Sequence, residues 1–253
     1  MVALARGCRL HCGRGKSMVI KTRINKKICI LICSNHRSGS SALSGCLNLC
    51  GVDYGKNKNR DYNWQNPKGY FENDSFTELH QNFLLSIGQN WNNASRITRE
   101  QDESIKEKSH ELVHLLNEQF TSEIFFIKDP RVLFVYPAYI EALKELEITP
   151  YLIWIERDDE EIVQSLTKAQ GVSKELAAAL CRKHRERFQE FQCHLKNFRL
   201  SKVSFNALVR DPLTTMKQIE SDLSLDLVSG NEEKIEKFID PKLKHFNCRS
   251  RPA

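Results

Sequence analysis

No stretch of this chain approaches the ~20 consecutive apolar residues that a membrane-spanning helix needs. The longest early apolar run is the six residues 28–33, too short and too far in for a secretory leader. A soluble cytoplasmic protein with no integral membrane segment is expected. Nine cysteines are present, but without the spacing of metal ligands. Cys8/Cys12, Cys29/Cys33 and Cys46/Cys50 are each four residues apart, whereas zinc sites use two-residue gaps or nearby His partners. The cysteines therefore read as small buried hydrophobes, and no metal or disulfide framework is expected.

Acidic residues are missing from residues 1–27, which hold eight Lys or Arg. The net charge of +6 comes from this stretch, since the remainder holds 30 basic and 32 acidic residues. A basic tail of this kind is no argument for a nucleic-acid partner. Residues 1–26 read as a disordered tail, with Met18 a possible start just before the domain, and residues 27–253 as a single domain long enough for a substantial core.

A nucleotide-triphosphatase loop, G-x-x-x-x-G-K-[ST], is also missing. Gly13-Arg-Gly-Lys-Ser17 imitates its tail, but Leu10 stands where the first Gly belongs and no strand precedes it. What the chain does have is the β-branched run 27–33, then Ser34-Asn-His-Arg-Ser-Gly-Ser-Ser-Ala-Leu43, then a helical pattern over 42–50. Strand, small-residue loop and helix together make an anion site: amides at a helix start are unpaired and the helix dipole is positive there. Gly39 permits close backbone approach, Ser38, Ser40 and Ser41 add hydroxyls, and Arg37 adds a forked permanent charge. The Lys that would reach a terminal phosphate is missing, so a magnesium–triphosphate is not the expected ligand.

Further strands are predicted at 124–127, 151–155 and 202–205. Helices are predicted near 75–87, 100–118, 133–146, 159–169, 176–195 and 232–239, with another that follows the segment 206–212 and runs to about 223. Apolar strands alternating with helices predict an α/β chain of three layers, α/β/α, around a parallel sheet covered on both faces. Ligands of such folds bind beyond the carboxyl ends of the strands. The clusters 34–41, 128–131 and 156–159 fall there. Arg157, with Ser165 eight residues on, makes a second anion site. Two such sites suit a nucleoside with phosphates at both ends.

With these residues the sequence resembles the sulfotransferase superfamily, whose P-loop-like fold binds 3′-phosphoadenylyl sulfate. His36-Arg-Ser-Gly-Ser-Ser-Ala-Leu43 is similar to that family's 5′-phosphosulfate loop, and Arg157 with Ser165 to its 3′-phosphate pair. Asn66-Pro-Lys-Gly-Tyr-Phe-Glu72, Lys128-Asp-Pro-Arg131 and Phe238-Ile-Asp-Pro-Lys-Leu243 resemble segments of bacterial-type members. The family's Gly-rich C-terminal clamp is not evident; basic residues within 242–251 could substitute. The resemblance implies donor binding by His36, Arg37, Ser38, Gly39, Ser40, Ser41, Ala42, Arg157 and Ser165. It implies in-line sulfuryl transfer to a hydroxyl or amine, with adenosine 3′,5′-bisphosphate as the other product and no metal.

Arg37, Glu72, Lys128 and Asp129 form the expected catalytic set. Glu72 is the first choice for the base that takes the acceptor's proton, His36 the second and Asp129 the third. Asp129 reads equally as a salt-bridge partner of Lys128 and Arg131. His80, His110, His114, His184, His194 and His245 read mostly as surface residues. Tyr62, Trp64, Tyr70, Phe71 and Trp91 offer rings for a saccharide or aromatic acceptor, and the long insertion after the first strand favours a glycan over a small phenol. Two other readings share the pattern: a P-loop kinase, and a non-catalytic nucleotide binder of the same fold.

Overall fold

The computed structural model describes residues 26–59 and 66–243. The basic tail up to residue 25, Cys8, Cys12, Tyr62, Trp64, His245 and the basic residues after 243 lie outside the described residues.

Four strands form one parallel sheet: β1 (Ile28–Ser34), β2 (Ile124–Lys128), β3 (Thr149–Glu156) and β4 (Arg199–Ser204), in the order β2-β1-β3-β4. The register sets Ile30 between Phe126 and Tyr151, and Leu31 between Ile127 and Leu152. Both faces of a parallel sheet need covering, which is why the central strands are apolar throughout rather than alternating. One face presents Cys29, Leu31, Phe125, Leu152 and Trp154. It is covered by α2 (Asp74–Ser86), α3 (Arg99–Lys106), α4 (Ser109–Gln119), α5 (Val132–Glu145) and α7 (Lys174–His194). The other presents Ile30, Ile32, Phe126, Ile153 and Val203 to α1 (Ser40–Leu49), α8 (Phe205–Arg210), α9 (Pro212–Leu223) and α10 (Glu232–Phe238). Between β3 and α7, α6 (Asp159–Gln170) packs Ile162 and Leu166 on Ala177 and Cys181 of α7. The expected parallel sheet, helical on both faces, is what forms.

Of the described cysteines, Cys29, Cys33, Cys46 and Cys181 are buried as expected, whereas Cys50 is half-buried and Cys193 exposed. Cys29, Cys33 and Cys46 are fully buried free thiols. Burial raises their pKa values, to about 12 for Cys46. No helix among the described residues is long and apolar enough to cross a membrane.

Two expected elements differ. The single helix over 100–118 is two, α3 and α4, parted at Glu107–Lys108 with no Gly or Pro to mark the break. The last strand begins at Arg199 and stops at Ser204, whose side chain accepts the Ala207 amide and so starts α8 at Phe205.

Candidate active site

β1 ends at Ser34, and a tight turn reaches α1 at Ser40. Two residues of that turn sit at positive φ, Arg37 at 64° and Gly39 at 91°. Gly39 is required twice over. Its backbone favours glycine, and a Cβ there would stand 2.1 Å from Cδ2 of the Phe205 ring. Helices α2, α3, α6, α7, α8 and α9 each begin on a side-chain cap. α1 begins on Gly39 with none, so its first amides stay available at the cavity. The Ser38 hydroxyl is spent inside the turn, donating to the Asn35 carbonyl at 2.8 Å, and Ser38 is not among the cavity-lining residues.

The cavity, about 230 Å³, is lined by His36, Arg37, Gly39, Ser40, Ser41 and Ala42 from this turn and helix. Glu72, Lys128, Arg157 and Ser165 also line it. The two anion sites expected from the sequence are thus one continuous surface. Arg37 Nε donates to Ser165 Oγ at 3.1 Å, and an Arg157 terminal nitrogen donates to the Arg37 carbonyl at 2.9 Å. Arg157 pairs with Glu161, one helical turn on, at 2.7 Å and lies over the Phe205 ring. Arg37 differs: no carboxylate pairs with it among the described residues, although it is partly buried. Burial draws its pKa below the ordinary guanidinium value; nearby Tyr70 raises it and Arg157 lowers it again. A desolvated cation with no counter-ion among the described residues, next to an uncapped helix start, is able to take an anion.

At the end of β2, Lys128 Nζ stands 2.5 Å from Glu72 Oε1 and 3.3 Å from the Ser41 hydroxyl, with the Tyr70 ring 5.9 Å away. The residue before Glu72, Phe71, is held at φ 53°, and its ring packs edge-on to Tyr54 and Phe238. Phe238 in turn needs the bare Gly45 of α1, where a Cβ would meet its Cζ at 2.2 Å. This aromatic stack fixes the strained backbone that delivers Glu72 to Lys128.

Asp129 is placed otherwise. Its carboxylate is buried and does not line the cavity; it is held by His80 at 2.7 Å and by Arg131 Nε at 2.9 and 3.0 Å. Burial alone would raise its pKa, but Arg131 and His80 outweigh that and hold it below the usual carboxylate range. Of the salt-bridge alternative, the Arg131 contact is seen, whereas Lys128 pairs with Glu72 and His80 takes its place at Asp129. His36 lines the cavity with its ring between Trp91, centroids 5.1 Å apart, and His184 at 5.4 Å. Its Nε2 is buried without a partner, and burial pushes its pKa well down, so the ring is neutral near pH 7. Tyr70 lines the cavity; Phe71 and Trp91 do not.

His80 and His184 are buried, against the surface reading, whereas His110, His114 and His194 are exposed. His80 lies one turn past Phe76 and three residues before Phe83 on the inward stripe of α2, a placement the spacing could have shown. Glu161 and Phe205 were also missed; the four-residue step from Arg157 was the available signal for Glu161. No group of three or more metal-ligating side chains occurs among the described residues.

No family model matches the sequence, and no curated protein does. Among the solved structures similar to it are the following three. A sulfotransferase domain from the curacin biosynthetic pathway is 16% identical, with 81% of this chain and 76% of that one covered and a TM-score of 0.48. The sulfotransferase domain of the Synechococcus PCC 7002 olefin synthase is 18% identical, with 89% and 91% covered and a TM-score of 0.48. A sulfotransferase from Mycobacterium tuberculosis H37Rv is 14% identical, with 84% and 71% covered and a TM-score of 0.48. These three, among the solved structures to which the chain is similar, are each a sulfotransferase or a sulfotransferase domain.

Proposed function

We propose that this chain transfers a sulfuryl group from 3′-phosphoadenylyl sulfate to a hydroxyl or amine acceptor, with a saccharide as the acceptor class. The observation that carries the reading is Arg37: a partly buried cation with no carboxylate partner among the described residues, at the uncapped start of α1, in one cavity with Arg157, Ser165 and the Glu72–Lys128 pair. The forked guanidinium and helix amides suit the donor's 5′-phosphosulfate; Arg157 and Ser165 suit its 3′-phosphate.

In the reaction, the acceptor oxygen or nitrogen forms a bond to sulfur while the bond from sulfur to the bridging phosphate oxygen breaks. The electron pair of the broken bond stays on the phosphate, where Arg37, Lys128 and the α1 amides meet the developing charge. The acceptor's proton passes to the Glu72 carboxylate. Lys128, 2.5 Å from that carboxylate, holds it in place by a charge-assisted hydrogen bond. Little covalent chemistry is asked of the chain; positioning and charge do most of the work. The Tyr70 ring beside Lys128 offers a flat apolar face to a sugar.

The test uses sulfur-labelled donor with a panel of saccharides, phenols and amines, without magnesium. Label should move to a saccharide, and Glu72→Gln should abolish turnover while still binding adenosine 3′,5′-bisphosphate. Transfer to phenols alone would overturn the acceptor class. Donor binding with no transfer to any of the panel would leave a non-catalytic binder in its place.

A further inference from the structure

Glu72 and Lys128 meet at 2.5 Å although 56 residues separate them in sequence. Each belongs to a segment that enters the same buried knot. Glu72 comes two residues before α2, whose cap is Asn73. Lys128 ends β2, and Asp129 follows it. From α2, His80 Nδ1 donates to Asp129 Oδ2 at 2.7 Å, and its Nε2 meets the Tyr139 hydroxyl of α5 at 2.8 Å. His80 and Tyr139 are fully buried and Asp129 nearly so, and none of the three lines the cavity. A second hydrogen bond between α2 and this turn, donated by Arg131 to the Gln81 side-chain oxygen, is long at 3.5 Å. The α2 cap is tied elsewhere, Asn73 donating to Gln119 and to the Tyr54 carbonyl.

A buried polar knot is a poor source of stability, because apolar groups of the same shape fill the space as well. Its distinctive effect is register: a hydrogen bond has a preferred length and direction, which a greasy contact lacks. We propose that His80 is a positioning residue, whose hydrogen bond to Asp129 locks α2 to the β2–α5 turn and thereby holds the Glu72 carboxylate against the Lys128 ammonium. The inference rests on the proposed reaction for the meaning of that pair, but not for its geometry.

Two substitutions separate the role from mere filling. An Asn amide nitrogen takes the place of a His Nδ1, and a Gln amide nitrogen that of Nε2. His80→Asn therefore keeps the bond to Asp129, and His80→Gln keeps only the one to Tyr139. The probe is the Lys128 signal in protein carrying ¹³C at the lysine Cε, assigned through Lys128→Arg. Adding Glu72→Gln should shift that signal in the wild type and in His80→Asn, and leave it unmoved in His80→Gln. Equal shifts in all three would overturn the proposal. If His80→Gln fails to fold, His80→Phe, which refills the ring volume, takes its place. Adenosine 3′,5′-bisphosphate should bind all three with the same affinity by calorimetry. If the wild type does not bind it, the sulfuryl-transfer reading fails while the Lys128 signal still decides the role of His80.

Discussion

Among the described residues, the Arg37 side chain has the Ser165 hydroxyl as its partner and no acid. A hydrogen bond to a charged group contributes about 1.5–3 kcal/mol. Arg37→Ala should therefore weaken adenosine 3′,5′-bisphosphate binding roughly 10- to 100-fold. Arg37→Lys, which keeps the charge and loses the fork, should recover part of it. Unchanged affinity in Arg37→Ala would contradict the assignment. Lys183 makes a prediction in pH. Its ammonium is buried against the Phe134 ring, donating to the Asn93 carbonyl at 2.7 Å, and burial with nearby Arg187 lowers its pKa from 10.5 to about 8. Between those values the unfolded chain holds a proton that the folded chain has released. Stability therefore rises with pH across that window. Urea unfolding from pH 7 to pH 10 should show the wild type gaining on Lys183→Met above pH 8. A constant difference would place the amine's pKa elsewhere. The turn between β1 and α1 was legible because a buried apolar run, then Gly and small hydroxyls, then helical spacing mark strand, turn and helix. His80 and His184 were not. A histidine's burial depends on a partner such as Asp129, 49 residues away from His80, and spacing along the chain carries no record of it.

At the scale of elements, the anion turn depends on the packing of α8 against α1. Gly39→Ala would force a side chain into φ 91° and set its Cβ 2.1 Å from Cδ2 and 2.9 Å from Cγ of Phe205. Because Cγ lies at the root of the ring, rotation alone does not clear it. The left-handed backbone costs about 1–2 kcal/mol and overpacking about 1–3 kcal/mol, so a loss of roughly 2–5 kcal/mol is expected in chemical denaturation. Adding Phe205→Ala should remove the clash with the new methyl, leaving the cost of its own cavity. A neutral Gly39→Ala would mean that the turn is looser than described. Most elements could be read from apolar spacing and caps: Asn73 opens α2 and Asp158 opens α6, close to where the sequence sets both starts. The division of α3 from α4 was not legible, because no breaker residue stands at Glu107–Lys108. The end of β4 was misread because Phe205 has strand-like chemistry, while the Ser204 cap decides for helix.

Across the whole molecule, the order β2-β1-β3-β4 sets β1 between β2 and β3. The turns after these three strands therefore open side by side, and they supply Arg37, Lys128 and Arg157. Sequence patterning shows that such clusters follow strands, but not the strand order that makes them neighbours. Nor does it show that residues 66–72 and 238–240 close over the same space; that requires Phe71, Phe238 and Gly45 to meet across the fold. Calorimetric titration of adenosine 3′,5′-bisphosphate without magnesium, on the wild type and on Arg157→Ala, tests most directly whether this cavity takes a nucleotide with phosphates at both ends. The account predicts binding to the wild type, weakened at least tenfold in the variant, with both proteins melting cooperatively. A folded wild type that ignores the bisphosphate, or that binds magnesium–ATP in its place, would contradict it.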